Sequence, residues 1–288
     1  MPVTMTLLAL FALGCAVPVL AGFLVLSAER GHPPRLTLAW LSMLLREISA
    51  NMLALAIWPL GSGDRHPELG DPGGPRKVPV ILVPGFGMNR SCLWALQALL
   101  RRRGWRWVHA INRARPGGGI DPHARALAAE VERLCRVAHS PQVDIVAHSM
   151  GGLIAAWYIQ ELGGAARVRR LVTLGTPWGG TRMASLVPWL PDSDLLVPGS
   201  KVVQELREPQ VPTHAIWSYQ DQLVVPTHSA APDWLDRAPH GQTALRLVGH
   251  LDLLGNTQSL DRVCALLSAP PQNAPTESTP TKSSGAEE

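Results

Sequence analysis

The sequence predicts an α/β protein, a mostly parallel sheet flanked by helices, with N-terminal membrane helices and a small apolar cap insertion. Three observations predict it. Short β-rich apolar runs alternate with longer segments of helical periodicity through residues 78–268, the pattern of parallel strands joined by helical crossovers. No charged side chain occurs from Met1 to Ala28, a run longer than the ~20 residues needed to cross a bilayer. A proline-broken apolar stretch interrupts the alternation at about residues 178–209.

The N-terminal run has no basic start and is too long for an ordinary cleavable leader, so residues 1–28 are expected to be a retained membrane anchor. Residues 36–60 form a second apolar stretch, interrupted by Arg46-Glu47. Two readings stand: a second span with its charges adjacent and paired, or an amphipathic helix in the interface, which is favoured. Arg30 and Arg35 favour the cytoplasmic side for the short connector, and the side holding the domain that follows depends on the number of spans. A membrane location follows, the bacterial inner membrane being expected.

Residues 61–77 are rich in Gly, Pro, Asp and His and read as a linker. The strands expected after it are residues 78–83, 107–111, 142–147, 168–174, 214–217 and 244–248. Helices are expected at 94–102, 122–137, 151–162 and about 257–267. Residues 269–288 are Pro-, Ser-, Thr- and Glu-rich and are expected to be disordered.

Composition narrows the function classes. Nearly half of the 288 residues are apolar and the formal charge is +4, carried almost wholly by arginine. Clusters such as Arg101-Arg102-Arg103 suit solvated helix ends or weak attraction to anionic headgroups. No recognition motif accompanies them, which argues against nucleic acid. Cys15, Cys92, Cys135 and Cys264 show no metal-binding spacing, and no disulfide pairing is deducible.

The strongest local signal is Asp144-Ile145-Val146-Ala147-His148-Ser149-Met150-Gly151-Gly152. An apolar strand runs into a serine flanked two positions away by small residues, and a helix follows. Small residues suit a tight, strained turn that lifts the hydroxyl clear of the sheet toward the helix N-terminus. The stretch resembles the nucleophile elbow of lipases and related α/β-hydrolases, with Ala147 where glycine is commoner. Val80-Ile81-Leu82-Val83-Pro84-Gly85-Phe86-Gly87 is similar to the strand and oxyanion loop of that superfamily, usually written His-Gly where this chain has Pro84-Gly85. Leu171 to Gly180 resembles the strand that leads into the lid. The similarity covers about residues 78–267.

The resemblance implies Ser149 as nucleophile and the backbone N–H groups of Phe86 and Met150 as oxyanion hole. It further implies that an acid and a histidine follow the serine in that order, each after a later strand. Asp221 fits the acid, following Ala215-Ile216-Trp217; Asp192 and Asp194 fall in the cap, and Asp233 and Asp236 follow no expected strand. His250 fits the base, with Gly249 expected to give the sharp loop that frees it. His214 opens a strand, His228 is too close behind Asp221, His240 precedes the final strand, and His148 is expected to face away from the serine proton. Asp144 and Asp252 read as structural residues.

The implied chemistry is carboxylic ester hydrolysis through an acyl-enzyme, requiring no metal or organic cofactor. The anchor and apolar cap point to a lipid-like ester as substrate, with the cap either mobile or simply a packed excursion. A membrane acyltransferase using the same triad and a non-catalytic hydrolase-fold binding module are the alternatives. Oligomeric state is not legible.

Overall fold

The computed structural model describes residues 3–34, 36–63 and 77–270. Most of the expected linker, all but the first two residues of the expected tail, and Arg35 lie outside the described residues.

Among the described residues, six strands form one sheet in the order β2-β1-β3-β4-β5-β6, every neighbouring pair parallel. They are β1 (Val80–Val83), β2 (Val108–Ala110), β3 (Val143–His148), β4 (Val168–Leu174), β5 (Thr213–Ser218) and β6 (Gly241–Leu245). The central strands are apolar throughout because both faces are covered. Alternate side chains feed two cores: Ile81, Val83, Ile145 and Ala147 pack against α4 (Ile120–Val137) and α5 (Met150–Glu161). Val80, Leu82, Val146 and Val172 face α3 (Trp94–Arg102) and α7 (Thr257–Ser268).

The last strand corrects the sequence reading. The apolar segment expected as a strand at 244–248 is mostly loop; β6 lies earlier, at Gly241–Leu245, and is only partly buried. It is an edge strand with β5 as its single neighbour, so its burial is one-sided and its apolar signal weak. Leu247 adopts φ 58° and Val248 turns into the core, so these apolar residues mark the loop that bears His250.

Two long helices precede the sheet, α1 (Val3–Arg30) and α2 (Leu38–Gly61). Thr37 caps α2 by accepting the Trp40 N–H at 3.2 Å. Residues 10–30 and 38–61 are each long and apolar enough to cross a membrane. One face of the pair docks on the α/β unit: Val19, Phe23 and Leu26 pack with Met43 and Val225. The outer face leaves Leu13, Leu24, Leu45 and Leu53 exposed.

Arg46 and Glu47 do not form the adjacent pair contemplated from sequence. Arg46 reaches Asp252 at 3.0 Å and the Leu247 carbonyl at 2.7 Å, while Glu47 is fully buried against the His250 loop. After β4 the expected cap contains turns at Arg182–Leu186 and Ser193–Leu196 and the short helix α6 (Lys201–Glu205).

Close approach of α5 to the loop after β4 depends on glycine. A Cβ on Gly152 would lie 2.1 Å from Thr176 Oγ1, and that hydroxyl donates to the Ser149 carbonyl at 2.9 Å. Gly152→Ala is therefore expected to destabilise the protein by about 1–3 kcal/mol, read as a lowered unfolding midpoint; an unchanged midpoint would contradict this packing.

Candidate active site

The carboxyl edge of a parallel sheet is where loops from successive strands converge. β3 delivers Ser149 there, in a turn with φ 53° and ψ −129°. A side chain in that region is strained and persists only where surroundings hold it. Here the Ser149 N–H donates to the Leu174 carbonyl at 2.8 Å, and the Gly152 N–H donates to the Ser149 carbonyl at 2.9 Å. A Cβ on Gly151 would meet the Val83 and Pro84 carbonyls, each at 2.8 Å. The expected small residue after the serine is thus explained by the approach of β1.

The loop after β1 lies directly over the serine: a Cβ on Gly85 would come within 2.8 Å of Ser149 Cβ. Phe86 and Ser149 line the same cavity, and Met150 begins α5 immediately after the serine. The two residues expected to supply oxyanion N–H groups therefore flank the serine from different elements.

Asp221 and His250 are brought together. His250 Nδ1 is 2.7 Å from Asp221 Oδ2, and both side chains are almost wholly buried. The other carboxylate oxygen accepts the N–H groups of Leu223 at 3.0 Å and Val224 at 2.9 Å. This holds the acid so that its remaining oxygen faces the imidazole. Burial of the ring works against the cation, but the Asp221 charge and hydrogen bond outweigh it, and the His250 pKa is raised above its ordinary value. With Nδ1 committed to Asp221, Nε2 is the nitrogen left for a partner in the cavity shared with Ser149.

The rival residues have other partners. His214 meets Thr243 Oγ1 at 2.8 Å, and His240 faces Glu208 at 3.0 Å. Asp192 is buried in the cap and accepts from His123 at 3.0 Å and from the Gly117 N–H at 2.9 Å, tying the cap to α4. Asp144 is buried and bonded to Arg169 at 2.8 Å.

Sequence reasoning missed three supports. His148 donates from Nε2 to the His250 carbonyl at 3.1 Å; burial and then the neighbouring His250 push its pKa down to about 3, so it is neutral. Gly175, at φ 59°, leaves space that a Cβ would fill 2.9 Å from Asp221 Oδ2 and 3.2 Å from His250 Nδ1. Gln222 accepts the His250 N–H on its side-chain oxygen at 3.2 Å. Only the glycine carried any signal, as the one residue in Leu174-Gly175-Thr176 able to adopt that φ freely. Gly249 is explained differently from the sharp turn expected: a Cβ there would lie 2.3 Å from Glu47 Oε2.

The serine and histidine open on a cavity of about 390 Å³. Its wall is mainly apolar, combining Leu186, Val187 and Leu190 of the cap with Pro18 and Ala21 of α1.

A strained serine between strand and helix thus shares a cavity with a histidine that is paired to a buried aspartate at the edge of a parallel sheet. The family model described as "alpha/beta hydrolase fold" matches residues 78–201. The chain has the α/β-hydrolase fold. Among solved structures it is similar to Aspergillus fumigatus lipase B, with TM-score 0.59 and 21% identity over 70% of this chain. The chain spans 55% of that lipase's length. It is also similar to the mature form of Bacillus licheniformis lipase BlEst2, with TM-score 0.53 and 17% identity over 73% of this chain and 97% of that one. At these identities the likeness is one of fold. The matched family segment ends before Asp221 and His250, so the α/β-hydrolase reading of those two residues rests on geometry.

The raised imidazole pKa is directly measurable. In NMR titration, His250 is expected to titrate above 6.5, and Asp221→Asn to move it downward; a wild-type value below 6.5 would contradict the pairing.

Proposed function

We propose that this protein is a membrane-attached serine hydrolase that cleaves lipid-like carboxylic esters. The observation that carries the reading is the 2.7 Å bond between His250 and Asp221 in a buried pair that shares the Ser149 cavity. In this reading His250 Nε2 takes the proton of Ser149 Oγ as that oxygen bonds to the ester carbonyl carbon. Asp221 keeps the tautomer and stabilises the imidazolium. The N–H groups of Phe86 and Met150 receive the carbonyl oxygen as it becomes negative. Collapse breaks the ester C–O bond, and His250 returns its proton to the departing alcohol. Water, deprotonated by His250, then attacks the acyl-Ser149 carbonyl carbon; the bond to Ser149 Oγ breaks, His250 returns the proton to that oxygen, and the acid is released.

An apolar cavity wall suits an acyl chain, because each buried methylene contributes about 0.8 kcal/mol. Lipid-facing attachment is supported by the exposed outer face of α1 and α2. Exposed Leu186, Trp189 and Leu190 on the cap add to the apolar surface near the cavity. Because α2 is bonded to the α/β unit through Arg46 at mid-helix, a crossing α2 would draw polar surface into hydrocarbon. This favours α2 lying along the interface.

Three experiments test the reading. A fluorophosphonate is expected to label the wild-type protein and not Ser149→Ala, and ester kcat/KM is expected to rise with pH through the raised His250 pKa, where the base becomes neutral. Absence of label on folded wild-type protein would refute the nucleophile. The full-length protein is expected to stay with membranes after carbonate washing; its release into the supernatant would refute embedding of the helix pair.

A further inference from the structure

Glu47 is the one acidic side chain of the mainly apolar helix α2, and it has no accessible surface. Docking one apolar helix on a domain needs no carboxylate, and burying a charge is unfavourable unless its hydrogen bonds are satisfied. Every contact of this carboxylate is with a donor. Oε1 accepts from the Leu251 N–H at 3.0 Å, from the Gln222 amide at 2.7 Å and from the Asn51 amide at 3.2 Å. Oε2 accepts from the Asp252 N–H at 2.8 Å. Burial raises the Glu47 pKa, and the N–H groups of Leu251 and Asp252 and the Gln222 amide oppose that rise by favouring the anion; a protonated carboxyl would bring a hydrogen with no acceptor among these groups.

Three of these four donors are the two residues that follow His250 and the one that follows Asp221; the fourth, Asn51, is on α2 itself. Gln222 bridges the two, giving its amide hydrogen to Glu47 and receiving the His250 N–H on its oxygen at 3.2 Å. One carboxylate thus grips both loops that bring the acid and the base together. The glycines beside it fit this role: Gly249 leaves room for Glu47, and a Cβ on Gly22 of α1 would lie 2.6 Å from the Gln222 carbonyl.

We propose that Glu47 is a positioning residue for His250, which makes the N-terminal helix α2 part of the working active site as well as an attachment device. The proposal rests on the reading of Ser149, His250 and Asp221 as a triad. Glu47 acts by fixing the backbone that aims the imidazole and by adding negative charge near the cation that forms during proton transfer. The titratable groups that face His250 are Asp221 from the loop after β5, His148 from the elbow and Glu47 from α2. Asp252, two positions on, is paired with Arg46.

The test uses the full-length protein carrying Glu47→Gln, which keeps volume and removes the charge. Relative to wild type, kcat for a short-chain ester is expected to fall about 10–100-fold with KM within about twofold. The acid limb of kcat/KM is expected to move to lower pH, because a negative charge near His250 has been removed. Gln222→Met, which retains the carboxylate but cuts its link to the His250 N–H, is expected to lower kcat with little change in KM, and decides the matter if Glu47→Gln does not fold. Fluorophosphonate labelling of wild type separates the two levels. Labelled wild type with unchanged kcat and acid limb in Glu47→Gln, or with unchanged kcat in Gln222→Met, would overturn the role of Glu47 alone. Unlabelled wild type would overturn the triad and this proposal with it.

Discussion

The strained turn at Ser149 is the constraint around which the rest is arranged. A non-glycine residue at φ 53° is held only because β1, β4 and α5 close on it from three sides. That closeness explains why side chains are missing at Gly85, Gly151 and Gly152, where a Cβ would meet the neighbours at 2.1–2.8 Å. The parallel sheet supplies the rigid frame. Its central strands are covered on both faces, so the turn is set by packing that a single loop could not provide.

Polar groups at this sheet edge are buried and, in the main, partnered. Asp221 uses one oxygen on backbone N–H groups and the other on His250. Ser218 at the end of β5 donates to the Val248 carbonyl at 2.6 Å, drawing the histidine loop toward the acid. His148 supports the same loop through the His250 carbonyl. In a low-dielectric setting such a chain orients each member firmly, because every unsatisfied alternative is costly. The apolar cavity beside it receives walls from the cap and from α1, so the surface proposed to meet lipid and the surface proposed to hold substrate are continuous.

Much of this was legible in the residues. The elbow announced itself by Ala147, Ser149 and Gly151 between an apolar strand and a helix, and β4 was read with its observed ends. Asp221 and His250 could be selected because each follows an apolar run late in the chain. Where the reading slipped, the reason is physical. β6 is a partly exposed edge strand, and the apolar residues after it belong to a loop that turns inward, so hydrophobicity pointed to the wrong segment.

By itself the sequence determined the alternation of strands and helices, the strained serine turn and the apolar N-terminus, because those are local patterns of side-chain size and polarity. The tertiary structure decided what the two charges inside the second apolar segment do. Glu47 lies more than 200 positions from Leu251 and Asp252 in the chain, and no local pattern records such a contact. A buried charge finds its partners only when distant loops fold around it.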